Sequence, residues 1–517
     1  MSQVAVLRRV RMQAMAVASA FALVSASTAV AEVKLDEAAT IVGSTTQWDS
    51  FDPAATTVAS LTGRWLSPVY DLLVNLNADG SFAPGLAVGW EFVKDGGADA
   101  LVLRLRPGVK FHDGTVFNAE AVKANFDRNL ASTRNIQTLI RTVESAKVVD
   151  PMTVSLKLKP GQGWLALWGL TMLPGRMMSP AAFSKAATHP VGTGPFVFQS
   201  MTPQTATFVR NESYWGPKPK YAKLVLQVVG SDNTSSINGV ISGTVDIVSL
   251  VGPTEAELSQ VRSAPGVKVE LAPSGQFNFL SLDRSKPPFN DARVRQAVAH
   301  ALDYDAIAKV LSYTPTRQMV SPQSIVYDEK RNSRYPRDLA KAKKLLADAG
   351  YPNGLDAGSI VVNQVGSLPR LAQIAQQQLG EIGIRTQLRL VDTAAQITQA
   401  CVSGQCSLAA WALIQGQDPV YLAELMLLPP VNPSNPGGKA VTGPLADLLK
   451  QAELPATADE HTKIIRTLLD AMTEEAVSIY TGLDRHYVVY RVKVQNALEG
   501  WKNERHPDFS KLAATGR

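Results

Sequence analysis

Hydrophobic positions in this chain follow two rhythms. In Leu101–Arg106 the apolar and polar residues alternate, leucines on one face and arginines on the other, which predicts a strand. Val109-Lys110-Phe111-His112 alternates again before the Asp113-Gly114 turn, and Val154–Leu158 repeats the pattern. Elsewhere the rhythm switches from strand to helix and back. Lys223–Val229 is an apolar strand. A helix follows, capped by Asp232 or Asn233, with Ile237, Val240 and Ile241 on one face and Gly243 at its end. Val245–Leu250 is the next strand. Strand, helix, strand predicts two parallel strands. Ile360–Asn363, Leu368–Leu379 and Ile384–Val391 repeat that grammar further along. Two such units predict two α/β lobes, with a ligand site in the space between them.

The other segments attach to this frame. Thr40–Thr46 is a strand leading into Gln47-Trp48, and helical spacing runs from Ala55 to Val69. Roughly Pro84 to Pro180 reads as an α+β insertion, containing the helix capped by Asn118. Val191-Gly192-Thr193-Gly194-Pro195-Phe196 is a glycine-rich turn closed by proline. Phe277–Asp283 is a strand outside both units and is expected to carry the chain between lobes. Asp291 and Asp338 cap two further helices, Ile464–Ile479 is a last long helix, and Tyr487–Val494 is a strand that returns the chain to the first lobe. Pro429–Gly443 is a long irregular loop. The resulting division places lobe I at 32–76, 186–274 and 487–517, an extra domain at 77–185, and lobe II at 275–486.

Composition changes little in this picture. With 517 residues, 45% hydrophobic and 19% charged, the chain is an ordinary globular protein too long for a single core. Residues 1–31 read as an export signal. Arg8, Arg9 and Arg11 form the charged region, Ala14–Val24 the apolar segment, and Ala29-Val30-Ala31 the cleavage site. Removing those three arginines from 51 basic residues leaves 48 against 45 acidic ones, too small an excess for a nucleic-acid surface. No later apolar run is long enough to span a membrane, so a soluble periplasmic protein is expected. Cys401 and Cys406 are close in sequence, and in an oxidising compartment such a pair is more often bridged than free.

Catalytic motifs are missing. There is no H-E-x-x-H helix, G-x-S-x-G elbow, S-x-x-K or phosphate loop. His112, His189, His300, His461, His486 and His506 never fall three or four apart, so no helix presents two of them to a metal. Gly192-Thr193-Gly194 is half of a dinucleotide fingerprint, and Pro195 blocks the helix that should follow, which favours a structural turn. His112, beside Asp113-Gly114, reads as a turn-stabilising residue. Trp48, Trp411 and Tyr421 are placed beside strand ends, where they could stack on a ligand or pack the lobes.

Five stretches carry a family likeness. Leu105-Arg106-Pro107-Gly108-Val109-Lys110-Phe111-His112-Asp113-Gly114, continuing to Asn118-Ala119-Glu120-Ala121-Val122, is the most specific. The others are Val191–Phe196, Tyr214-Trp215-Gly216, Pro288–Ala297, and Ala342–Leu346 with Ala349-Gly350-Tyr351-Pro352. Together they resemble the family 5 extracellular solute-binding proteins of ABC importers, the dipeptide, oligopeptide and nickel receptors. The resemblance implies an α/β bilobed periplasmic-binding-protein fold (type II, cluster C), with an extra α+β domain inserted in the first lobe. It implies a small-molecule or peptide ligand, an ABC permease complex at the inner membrane as partner, a monomer, no cofactor, no metal ligand and no catalytic residue. Expected ligand contacts are Thr46, Gln47 and Trp48 after the first strand, Gln276 and Phe277 at the crossover, and Trp411, Gln415 and Asp418 in the second lobe. Peptide receptors of this type place an aspartate four residues before the proline of an Asp-Pro step, to neutralise the α-ammonium. Before Asp418-Pro419 that position is Gln415, which puts a free-amine dipeptide in doubt and leaves opines, sugar conjugates and metal chelates open. The rival readings are a secreted hydrolase with a triad assembled from distant residues and a chaperone without a small ligand.

Overall fold

The structure is a computed structural model. It describes residues 34–517 apart from 46, 57–61, 135, 231, 273–275, 365, 415–418, 429–440, 455–456, 502–506 and 516–517. The leader at 1–31, Thr46, Gln415, Asp418 and most of the Pro429–Gly443 loop lie outside the described residues.

Among the described residues, the first lobe is built on a seven-stranded sheet. Its order is Val267–Ala272, His486–Arg491, Ile247–Val251, Thr40–Thr45, Lys223–Val228, Thr205–Arg210 and Phe196–Met201. Thr40–Thr45 lies between Lys223–Val228 and Ile247–Val251 and is parallel to both. The two strands of the first βαβ unit therefore flank a third, earlier one. Asp232 caps the connecting helix Asn233–Ser242 by accepting from the Ser235 amide, and Gly243 closes it in the left-handed region at φ 82°.

The second lobe carries a six-stranded sheet. Its order is Tyr313–Thr314, Ser478–Asp484, Gln276–Leu282, Leu408–Ile414, Leu355–Asn363 and Ile384–Val391. Leu355–Asn363 and Ile384–Val391 are parallel neighbours joined by the helix Leu368–Gly380. Cys401, near the end of the helix Ala394–Val402, is bonded to Cys406, two residues before the strand Leu408–Ile414. A four-stranded antiparallel sheet holds Ala87–Asp95, Ala98–Leu105, Thr153–Leu158 and Val143–Asp150. With the helix Ala119–Leu130, capped by Asn118, it has a core of its own around Leu101, Leu103, Phe126 and Leu156. This is the extra α+β domain.

The chain passes between lobes at Ala272–Gln276 and returns at Arg485, where Ser478–Asp484 hands over to His486–Arg491. The Arg485 carbonyl accepts from Gly252, so the return is anchored to the first lobe at once.

Several expectations are corrected. Between Ala55 and Val69 the described helix is only Gly63–Leu66, and Pro68, with no N–H to donate, follows directly. Val109–His112 forms no strand, because the Asp113 carboxylate takes the Thr115 amide and turns the chain; one bridge, Lys110 to Val116, remains. The last long helix runs Ala458–Glu474, earlier at both ends than Ile464–Ile479. Thr457 and Glu460 form a reciprocal capping box at its start, and Ile479 belongs to the strand Ser478–Asp484. Trp411 stands mid-strand opposite Phe279, and Tyr421 is on the helix Pro419–Leu427; neither sits at a strand end.

Candidate functional site

Two motifs noted in the sequence fasten the first lobe to its insertion. His112 lies against the glycine-rich turn: its Nε2 is 2.9 Å from the Gly194 carbonyl oxygen, and the Gly192 amide points at its Nδ1. That pattern fits a neutral ring with Nε2–H donating. Burial pushes the His112 pKa down to about 4, so the ring is neutral at pH 7. Gly192 is required by close approach, since a Cβ there would lie 2.1 Å from the Val69 carbonyl oxygen. Asp71 accepts from Thr193 Oγ1, Tyr214 Oη and Trp215 Nε1 at 2.7–3.0 Å. Burial nevertheless raises its carboxyl to about 6. These motifs are structural fasteners. The structural reading of Gly192-Thr193-Gly194 follows from the same contacts.

Contacts between the extra domain and the second lobe include two ring stacks, an ion pair and a backbone hydrogen bond. Trp164, on the helix Gly163–Gly169, stacks on His461 of the helix Ala458–Glu474, ring centroids 3.9 Å apart and planes 8° apart. One helical turn on, Trp168 stacks on Tyr421 at 4.6 Å. Arg141 precedes the strand Val143–Asp150 and pairs with Glu424 of the helix Pro419–Leu427. Ile325 donates its amide to the Asp79 carbonyl at 2.9 Å. Glu453, on the helix Pro444–Glu453, lies against Glu424, and burial holds both carboxyls above the usual range. Arg141 is thus the cation facing two enclosed acids from across the boundary.

Beside these contacts is a cavity of about 220 Å³. Phe82, Trp90 and Trp164 line it from the extra domain, and Phe277, Val320 and His461 from the second lobe. Of the expected contact residues, the structure brings Phe277 to this cavity. Gln276 opens the same strand, opposite Ile414. Trp48 packs on Phe51 in the first lobe's core, and Gln47 is exposed beside the Pro203 carbonyl. Trp411 packs between helices and strands of the second lobe. Sequence reasoning missed Arg141, Trp164, Glu424 and His461. Each looks ordinary alone, and the partners are far apart in the chain.

Among the described residues no group of His, Cys, Asp and Glu could hold a metal ion, and no helix is long and apolar enough to cross a membrane. Ser249 Oγ and His486 Nε2 are in hydrogen-bond contact. His486 is wholly buried, Ser249 is half-buried, and the two residues lie on adjacent strands, so the contact fastens the sheet.

The family model for bacterial extracellular solute-binding proteins, family 5 Middle, matches residues 81–429. The glutathione-binding protein GsiB of Shigella boydii is 30% identical over 314 residues, covering 59% of this chain and 60% of that protein. The match therefore spans about three fifths of that curated relative. DppA of Helicobacter pylori, solved with the peptide STSA, superposes with a TM-score of 0.71 at 23% identity, covering 93% of this chain and 99% of that one. NikA of Brucella suis, solved with Fe(III)-EDTA, gives 0.75 at 24% identity, covering 92% and 100%. Both likenesses speak for the two-lobed fold.

Proposed function

Because the chain belongs to the bacterial extracellular solute-binding proteins of family 5, we propose that it is the periplasmic substrate-binding component of an ABC importer. It captures a peptide or a peptide-sized polar solute between its lobes, hands it unchanged to a membrane permease, and is exported by a leader cleaved after Ala31. The ligand contacts are Thr46, Gln47, Trp48, Gln276, Phe277, Trp411, Gln415 and Asp418. The domain limits are those drawn from the sequence.

One observation carries this reading: two lobes with separate sheets, joined at Ala272–Gln276 and Arg485 and bridged by the extra domain's contacts with the second lobe. Such a body has two states, and a solute touching both lobes selects the closed one. Micromolar capture needs about 8 kcal/mol net. The solutes of the relatives point the same way: glutathione, the peptide STSA and a metal chelate all present several polar groups at once.

The test is mass spectrometry of what co-purifies with the gently isolated protein, followed by thermal unfolding with that compound added. A receptor at 100-fold excess over its Kd gains about 2.7 kcal/mol. A protein that carries no solute and is not shifted by peptides, opines or chelates is not a receptor. Products appearing in the sample would identify an enzyme.

A further inference from the structure

The first lobe's sheet ends at Val267–Ala272. Among the described residues this six-residue strand pairs with His486–Arg491 alone, so its other side is a bare edge. The bonds of its neighbour fix which of its backbone groups point outward, because bonded positions alternate along an antiparallel ladder. Arg491 donates its amide to the Asp246 carbonyl, and the Arg485 carbonyl accepts from Gly252, so the odd-numbered positions around His486–Arg491 serve the Ile247–Val251 side. The even-numbered ones serve Val267–Ala272, and Val492 donates to the Gly266 carbonyl in step with that rule. Opposite the even positions stand Lys268, Glu270 and Ala272, whose backbone groups therefore bond inward. Val267, Val269 and Leu271 turn theirs outward. The Val267 amide is held by the Ala264 carbonyl at 3.4 Å, which leaves the amides of Val269 and Leu271 and three carbonyls facing out.

This edge is regular, with no proline and no register shift, and Leu271 on it is 53% exposed. Its sequence, Val-Lys-Val-Glu-Leu-Ala, is complementary to itself. A twofold axis through Val269 sets Lys268 opposite Glu270 of a second copy and Val267 opposite Leu271, each pair occurring twice. The outward groups then meet in register. Two bonds join the Val269 residues, and two run from the Leu271 amides to the Val267 carbonyls. Lys268 and Glu270 fall in the non-bonded pairs, where facing side chains come closest. Glu270 accepts from the Tyr490 hydroxyl, which holds its carboxylate on the face it shares with Lys268. An axis through Val267 or Leu271 would leave both charges without an opposite. One acid and one base give the edge no net charge to attract a foreign partner, and they match a second copy of themselves.

We propose that the Val267–Ala272 edge is an interface between two copies of this chain, which join about a twofold axis at Val269 into one continuous sheet. The family resemblance implies a monomer, and the self-complementary edge departs from that expectation. The interface does not depend on which solute is captured. Six residues make a short seam, so the association belongs with weak interfaces that fill at high protein concentration.

Sedimentation equilibrium of the purified protein, over a concentration series reaching the millimolar range, should show monomer and dimer in exchange. Lys268→Glu and Glu270→Lys each set like charges opposite themselves across the axis, and each should weaken association about tenfold or more. An equal mixture of the two variants restores both ion pairs and should associate as tightly as the parent. Val269→Pro removes an outward amide, costs the monomer no ladder bond and should abolish the dimer, with circular dichroism reporting that it is folded. If that variant misfolds, the mixture of charge variants still decides. A parent that stays monomeric throughout overturns the interface, and Lys268 then serves to blunt the edge. A dimer that the single charge reversals leave intact, or a mixture that does not recover, overturns it as well.

Discussion

Replacing Arg141 by Met should weaken solute capture without loosening either lobe. Arg141 reaches from the extra domain to Glu424, and its side chain is 40% exposed where that of Glu424 is 8% exposed. Breaking a fully buried pair costs about 3–5 kcal/mol, and an exposed pair is worth at most about 1 kcal/mol. A pair buried on one side falls between them, at about 2 kcal/mol. Arg141 also lies beside the Glu424–Glu453 pair, and its charge lowers both carboxyls that burial raises. The contact exists only when the extra domain and the second lobe are together, so its loss falls on the closed state. A loss of about 2 kcal/mol in closure raises the apparent Kd about 30-fold, because affinity scales with the closed fraction. Calorimetry with the co-purified solute measures it. Glu424→Gln should also weaken binding, and the double variant should recover about 1 kcal/mol of the combined loss, as coupled residues do. The reasoning is refuted if Arg141→Met leaves Kd within twofold, or if it lowers the urea midpoint of the protein instead.

Acid should destabilise the fold through His112 and His461. The pKa of His112 and of His461 is pushed down to about 4 from 6.5 by burial, so the folded state binds fewer protons than the unfolded one. Their stabilisation is complete above pH 6.5 and is lost as pH falls towards 4, about 3 kcal/mol per histidine; His112→Gln should flatten urea-derived stability across that window, and an unchanged slope would count against it. Asp71 runs the other way, because burial raises its carboxyl from 3.8 to about 6; its contribution is full below 3.8 and lost as pH rises through 6, so Asp71→Asn should remove that component from the same titration. Gly192→Ala should cost about 3 kcal/mol or more, because a Cβ would meet the Val69 carbonyl oxygen at 2.1 Å; urea unfolding within 0.5 kcal/mol of the parent, about the usual surface effect, would refute the close approach. Replacing Cys401 and Cys406 by Ala opens a loop of sequence separation 5 and should lower stability by about 2 kcal/mol, and a thiol assay on the unfolded parent should find no free thiol.

The parts of the fold legible in the sequence are those decided locally. Asp232, Asn118, Asp291 and Asp338 each cap the helix assigned to them, because a side-chain oxygen accepting an amide two or three residues on is written within a few positions. The strand Ile384–Val391 has the ends expected of it from the sequence. Failures came where a local rule was overlooked or outvoted. Thr457-x-x-Glu460 is a capping signature, and it starts the last helix at Ala458, ahead of the apolar spacing that begins at Ile464. The alternation at Val109–His112 was outvoted by the Asp113 turn. The Thr40–Thr45 strand fits between the two parallel strands for reasons no local window contains. The cavity was not legible at all. Phe277 is marked by its place at the crossover, but Trp164 and His461, far apart in sequence, meet only where the extra domain packs on the second lobe.

The placing of His486–Arg491 bears on how the molecule is made. That strand sits inside the first lobe's sheet, separating Val267–Ala272 from Ile247–Val251, both encoded far upstream. Until it emerges from the ribosome, Val267–Ala272 has no neighbour and Ile247–Val251 shows a bare edge. The second lobe is nearly continuous in sequence and can solidify ahead of the lobe that began first. The first lobe, whose earliest strand is among the first segments made, is therefore the last part of the molecule to close.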